Sequence, residues 1–131
     1  MGSTDNHIRI VIADDHRIVL EGMVSLLSAD PECEVIATAS TGQQAVELFR
    51  QHNPDVLIID LSMPIMDGIE VITSIRATHP LAKIMIVSSH KGEDAIYRAI
   101  KAGAMSYISK EAVAESLLET VKAVYKGNRV M

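Results

Sequence analysis

Asp55-Val56-Leu57-Ile58-Ile59-Asp60-Leu61 sets four large apolar residues in unbroken succession and then a carboxylate. A strand with one face in water alternates apolar and polar side chains. A run apolar on both faces belongs in the middle of a parallel sheet, covered by helices on each side. Outward from this segment the chain repeats one rhythm. Short apolar runs at Ile8–Ala13 and at residues 34–39, 83–88 and 105–108 alternate with longer stretches of helical period. Between residues 16 and 29, Leu20, Met23, Val24 and Leu27 fall at i, i+3, i+4 and i+7, which is one helical face, and Pro31 lies just beyond.

The other helices follow the same logic. Thr41 and Gln44 have capping-box spacing and open a helix through residue 50 that buries Ala45, Leu48 and Phe49. Asn53-Pro54, Met63-Pro64 and Asp67-Gly68 read as turn and loop signals. Ile69, Ile72 and Ile75 or Arg76 mark the inner side of a third helix ended by Pro80. A fourth spans residues 93–102 with Gly103 as its cap. The last covers residues 111–126, with Ala114, Leu117, Leu118, Val121, Val124 and Tyr125 near one stripe and Gly127 at its end. Five strands and five helices in strict alternation predict one α/β domain, a doubly wound parallel sheet over residues 8–126. Residues 1–7 read as a disordered or expression-derived leader, and residues 127–131 as a tail or the start of a linker.

Composition narrows the function. The chain has 131 residues, 48% hydrophobic and 22% charged, and its 12 basic against 17 acidic residues give a net charge of -5. No basic block or stripe is present to attract a phosphate backbone. The single cysteine, Cys33, has no internal disulfide partner, which fits a reducing, cytoplasmic setting. No apolar segment approaches the roughly 20 residues that span a bilayer, so no membrane partner is expected.

In an open α/β sheet, ligands bind beyond the carboxyl ends of the strands, near the point where strand order reverses. Here those ends carry Asp14-Asp15, Asp60, Ser88 and Lys110, each polar and each abruptly following an apolar run. Taken singly, Asp15 reads as a helix cap, Lys110 as a solvated lysine and Ser88 as an ordinary hydrogen-bonded serine. Jointly they read as a site. Three converging carboxylates repel one another unless a cation compensates, and Mg²⁺ suits such an all-oxygen site. That ion would bridge Asp60 to a phosphoryl oxygen, with the Lys110 ammonium and Ser88 hydroxyl meeting the others. The segment Ala13-Asp14-Asp15-His16-Arg17 lacks both a dinucleotide fingerprint and a Gly-Lys-Ser/Thr phosphate loop. Zinc ligand spacing is missing, and no nucleophile elbow surrounds Ser88 or Ser89.

Read in order, Asp14-Asp15, Asp60-Leu61-Ser62-Met63-Pro64 with Asp67-Gly68, Ser88, and Gly103-Ala104-Met105-Ser106-Tyr107-Ile108-Ser109-Lys110 resemble the CheY-like receiver domain of bacterial two-component response regulators. The resemblance covers nearly the whole chain. Met66-Asp67-Gly68-Ile69-Glu70 and Val87-Ser88-Ser89-His90 are similar to the NarL/FixJ (LuxR-type) branch. The resemblance implies a flavodoxin-like sheet with strand order 2-1-3-4-5 and phosphorylation of Asp60 by a sensor histidine kinase. It implies Mg²⁺ held by Asp15, by Asp14 more often through water, by Asp60 and by the main-chain carbonyl of Ser62. Ser88 and Lys110 would contact the phosphoryl group, Tyr107 would be the aromatic switch that turns inward with Ser88, and Ser62 and His90 would be rim positions that tune phosphoryl lifetime. Glu111 stands where many receivers have proline after the lysine, so the Lys110–Glu111 bond is expected to be trans.

The resemblance further implies a helix-turn-helix DNA-binding domain downstream in a parent protein and the option of a homodimer on activation, while the net charge of -5, with no basic helix and no helix pair left over, predicts no specific DNA binding by these residues alone. The leading reading is a phosphorylation-controlled signalling module rather than an enzyme, with self-catalysed phosphoryl transfer. The alternatives are a standalone protein-docking regulator and a small Mg²⁺-dependent phosphatase or phosphotransferase. For Tyr107 the competing reading is a ring that covers the sheet edge and keeps its hydroxyl wet.

Overall fold

The computed structural model describes residues 7–63, 65–89 and 93–130. These form five strands and five α-helices in alternation: β1 Ile8–Ala13, α1 Arg17–Ser28, β2 Cys33–Ala39, α2 Gly42–His52, β3 Val56–Asp60, α3 Gly68–Thr78, β4 Ile84–Ser88, α4 Glu93–Ala102, β5 Ser106–Ser109 and α5 Val113–Tyr125. All strand pairs are parallel, in the order β2-β1-β3-β4-β5. Every residue of β3 and β4 is buried, as the unbroken apolar run requires.

The two faces of the sheet separate by residue parity, because side chains alternate along a strand. Ile8, Ile10, Ile12, Val56, Ile58, Met85 and Val87 pack with Met23 and Leu27 of α1 and with Leu117, Val121 and Val124 of α5. Val11, Leu57, Ile59, Ile84 and Ile86 pack on the other side with Phe49 of α2, Val71, Ile72 and Ile75 of α3 and Ala99 of α4. Strand β2 breaks the parity. Its register against β1 slips between Ile10 and Val11, so Ile36 has no opposite number. Before that bulge Cys33 and Val35 face the α1–α5 layer; after it Ala37 and Ala39 face the other layer. Ala39 is thereby placed so that its carbonyl accepts the Asp14 N–H at 3.0 Å.

Local signals act much as the sequence reading expects, with several shifts. The Thr41 side chain accepts the Gln44 N–H at 3.1 Å, while the Gln44 side chain reaches past Thr41 to accept the Ser40 N–H at 3.0 Å. Asp67 and Glu70 form the reciprocal capping box instead, and α3 starts there. Gly103, at φ 125°, ends α4, with Gly103 N–H donating to Ile100 and Ala104 N–H to Ala99. A 3₁₀ turn, Lys110–Ala112, precedes α5, and the described residues contain no cis peptide bond. On α5 Ala114 is exposed and Thr120 is buried in the stripe, a correction to the sequence reading. Residues beyond α5 turn back, and Val130 pairs with Ser106 in a parallel bridge at the open edge of β5.

Candidate functional site

Strand order reverses at β1, whose successor β2 lies on one side and whose other neighbour, β3, lies on the opposite side. The carboxyl ends of β1 and β3 therefore bound the crevice where ligands of such sheets bind. Asp14 and Asp60 stand at those two ends. Continuing the parity of β1 and β3 puts both on the α1–α5 side, and the same count from Ile108 puts Lys110 there as well. The distances agree. Lys110 Nζ lies 3.4 Å from Asp60 Oδ2 and 3.5 Å from Asp14 Oδ2. The Asp14 and Asp60 side chains are 0% and 1% exposed and that of Lys110 only 13%, so Lys110 is not a solvated surface lysine.

Asp15 is more open, with 32% of its side chain exposed, and it does not cap α1. The N-cap residue is His16, which makes no side-chain cap, while Asp14 Oδ1 accepts the His16 N–H at 2.8 Å. His16 is the site residue that sequence reasoning missed. Its Nδ1 lies 2.9 Å from Lys110 Nζ, 3.4 Å from Asp14 Oδ1, 3.5 Å from Asp15 Oδ1 and 3.8 Å from Asp60 Oδ2. One ligand atom from each of Asp14, Asp15, His16 and Asp60 lies within 4.8 Å of all the others.

Burial first, and the neighbouring Asp14 charge second, push the Asp60 carboxyl above the ordinary carboxylate range; Lys110 and the Ser62 N–H, 3.4 Å from Asp60 Oδ1, oppose that rise. Asp14 Oδ2 is buried and accepts no hydrogen bond. A buried carboxylate oxygen in that condition, facing a second buried carboxylate, fits a site completed by a cation.

Helix α3 begins hard against the strand end that carries Asp60. Gly68 N–H donates to Leu61 O at 2.9 Å, and a Cβ on Gly68 would stand 2.9 Å from Asp60 O and from Leu61 Cα. Only glycine allows this approach. Between them, Ile65, an 88% exposed residue, adopts φ 71°, an uncommon backbone state for a β-branched residue.

Ser88 is fully buried at the end of β4, opposite Ser109. Tyr107, opposite Ile86, is half-buried and packs against the α2–α4 core. Parity sets Ser88 and Tyr107 on that same face, on adjacent strands and two positions apart. Ser62 is exposed beside Asp60, and His90 lies outside the described residues.

Residues 10–122 match the response regulator receiver domain. The chain is 39% identical over 123 residues to the transcriptional regulatory protein DegU of Brevibacillus brevis, an alignment covering 94% of this chain and 52% of that protein. It is 38% identical over 120 residues to the transcriptional regulatory protein LiaR of Bacillus subtilis (strain 168), covering 92% and 57%. The chain thus spans about half the length of these curated relatives. Among solved structures, the signal receiver domain of NarL from Mycobacterium tuberculosis superposes with a TM-score of 0.90 at 31% identity, over 94% of this chain and 99% of that one. A LuxR-family two-component response regulator from Aurantimonas sp. SI85-9A1 gives 0.91 at 34% identity, over 95% and 89%. With an acidic cluster at the reversal point of the sheet and this match along most of its length, the chain belongs to the response regulator receiver domain family.

Proposed function

We propose that Asp60 accepts a phosphoryl group from the phosphohistidine of a sensor histidine kinase, and that the event is passed to the surface around β5. The observation that carries this reading is the pair of buried carboxylates, Asp14 and Asp60, with the Lys110 ammonium within 3.5 Å of both. Asp60 ends a fully buried strand, so its carboxylate is presented from a rigid support. A carboxylate oxygen attacks phosphorus, the phosphorus–nitrogen bond breaks, and its electron pair returns to the donor imidazole, which takes up a proton. Lys110 and the Ser88 hydroxyl meet the phosphoryl oxygens. Water attack on the same phosphorus later returns Asp60 and inorganic phosphate, with Ser62 and His90 at the rim setting access. Asp14, Asp15, Asp60 and the Ser62 carbonyl would hold Mg²⁺, which supplies positive charge against the carboxylates and the phosphoryl oxygens.

The shared face of Ser88 and Tyr107 supports a switch in which a displaced Ser88 makes room for the tyrosine ring. Relatives bearing the names of transcriptional regulators, and a LuxR-family DNA-binding response regulator from Staphylococcus aureus of related fold, support control of DNA through a helix-turn-helix domain in the parent protein. Homodimerisation on activation and a cytoplasmic location belong to the same reading. Among the described residues no helix is long and apolar enough to cross a membrane.

Intact-mass analysis after acetyl phosphate and Mg²⁺ tests the assignment. One phosphoryl group retained per chain, absent in Asp60→Asn and absent in excess chelator, is the expected result. An adduct mapped to Ser88, Asp15 or His90 refutes it. Multiple turnover of the donor without a retained group points instead to the phosphatase alternative.

A further inference from the structure

The proposed phosphoryl transfer gives His16 no part, yet its Nδ1 lies within 3.8 Å of three carboxylates while the rest of the side chain is open to water. A lysine ammonium carries only donors, so the 2.9 Å contact from Lys110 Nζ makes His16 Nδ1 the acceptor. Nδ1 thus presents a lone pair inside the cluster. That is the form in which imidazole binds metal ions. The backbone at this position is fixed by the Asp14 Oδ1 contact to the His16 N–H at 2.8 Å.

Two further observations point to a ligand rather than a chance contact. Asp14 Oδ2, fully buried, accepts no hydrogen bond and faces the same space. The separations of His16 Nδ1 from the three carboxylate oxygens are 3.4, 3.5 and 3.8 Å. Ligands set tetrahedrally about 2.1 Å from one metal stand about 3.4 Å apart, and the first two separations are close to that. Lys110 Nζ touches the same nitrogen and two of the same carboxylates.

We propose that His16 Nδ1 is a nitrogen ligand of the cation pocket and turns its preference toward borderline divalent cations such as Co²⁺ over Mg²⁺. Oxygen donors suit Mg²⁺, whereas imidazole favours the later first-row cations. The inference rests on the proposed cation binding at Asp14, Asp15 and Asp60. Because Lys110 holds the same nitrogen, a cation taken up there displaces one lysine contact and leaves that ammonium to the phosphoryl oxygens.

The test titrates Mg²⁺ and Co²⁺ calorimetrically into the whole chain and into His16→Ala. Asp14→Asn/Asp15→Asn serves as the blank for cobalt held by the other histidines. The His16 side chain is 60% exposed and caps nothing, so the variant keeps its fold. The expected result is a Co²⁺ affinity at least tenfold weaker in His16→Ala, with Mg²⁺ affinity changed less than threefold. Pulsed EPR with Mn²⁺ should show a directly bound nitrogen in the unmodified chain that disappears in the variant. An unchanged Co²⁺-to-Mg²⁺ ratio, or no bound nitrogen, overturns the role of His16 while leaving the cation pocket standing. No site-specific binding of any of these cations overturns both.

Discussion

Replacing Asp60 with asparagine should stabilise the cation-free protein. The Asp14 carboxylate lies within 4.8 Å of that of Asp60, and two like charges at this distance repel by about 3.5 kcal/mol at an effective dielectric of about 20. Asp15, partly in water, adds about 1 kcal/mol at a dielectric near 80. Lys110 at 3.4 Å returns about 4.9 kcal/mol at the lower dielectric. Desolvation of a side chain 1% exposed then tips the balance, adding about 2 kcal/mol or more. The raised Asp60 pKa, caused first by burial and second by Asp14, has the same sign. Asp60→Asn keeps the volume and removes the charge, so the gain is about 2 kcal/mol, or about 7 °C in Tm for a chain of this length.

The pH dependence follows. Over the window between the ordinary carboxylate pKa of 3.8 and the raised folded value, the folded chain binds more protons at Asp60 than the unfolded chain. Stability therefore falls as pH rises through that window, and the asparagine variant lacks this fall. Urea denaturation at pH 7 in excess chelator, repeated near pH 4 and with Mg²⁺, measures all of this. Cation at about twenty times its Kd adds about 1.8 kcal/mol to the wild type, which closes most of the gap. A variant no more stable than wild type at pH 7 without cation, or one that gains equally from Mg²⁺, refutes the reasoning.

Other perturbations have equally definite signs. Asp67→Ala removes an exposed capping box at the start of α3 and should cost about 1 kcal/mol in urea denaturation without changing the sheet signal. Ile65→Asn relieves a left-handed β-branched residue whose side chain is almost wholly in water, and should raise stability by about 1 kcal/mol in the same assay. Cys33 is buried, and burial followed by the Asp30 charge raises its thiol pKa, so a disulfide-exchange reagent at pH 8 should label it slowly in native protein and quickly in urea.

The central strands and the helices against them were legible because each of their residues has one job. Val56 to Ile59 could be nothing but a fully covered strand, and Gly103 had one conformational reason to follow a helix. The strand order came from resemblance, since apolar runs reveal that strands are parallel but not which lie side by side. The bulge at Ile36 stayed hidden because Glu34 to Ala39 sits at the sheet edge, where partial exposure blurs alternation. Asp67 read as loop punctuation because Asp-Gly is a turn signal in isolation; Glu70 three residues on was the overlooked clue. Asp14, Asp15, Asp60 and Lys110 showed themselves as polar residues abruptly ending apolar runs. His16 had no such mark. It lies three residues past the strand in a polar stretch, and its contact with Lys110 joins positions 94 apart, a pairing no local pattern announces.

The Lys110–His16 contact spans 94 positions of sequence, and Lys110 to Asp60 spans 50. On a ribosome, Asp14, Asp15 and Asp60 emerge long before the lysine that balances them, and β1 and β3 can pair before β4 and β5 exist. Until β5 is laid down and the turn after it is formed, the acids lack the Lys110 ammonium. A chain stalled or cut before that point lacks the ammonium that lies within 3.5 Å of both buried carboxylates. The charge balance at these strand ends is therefore reached only at the end of assembly, when the sheet has been completed to its last strand.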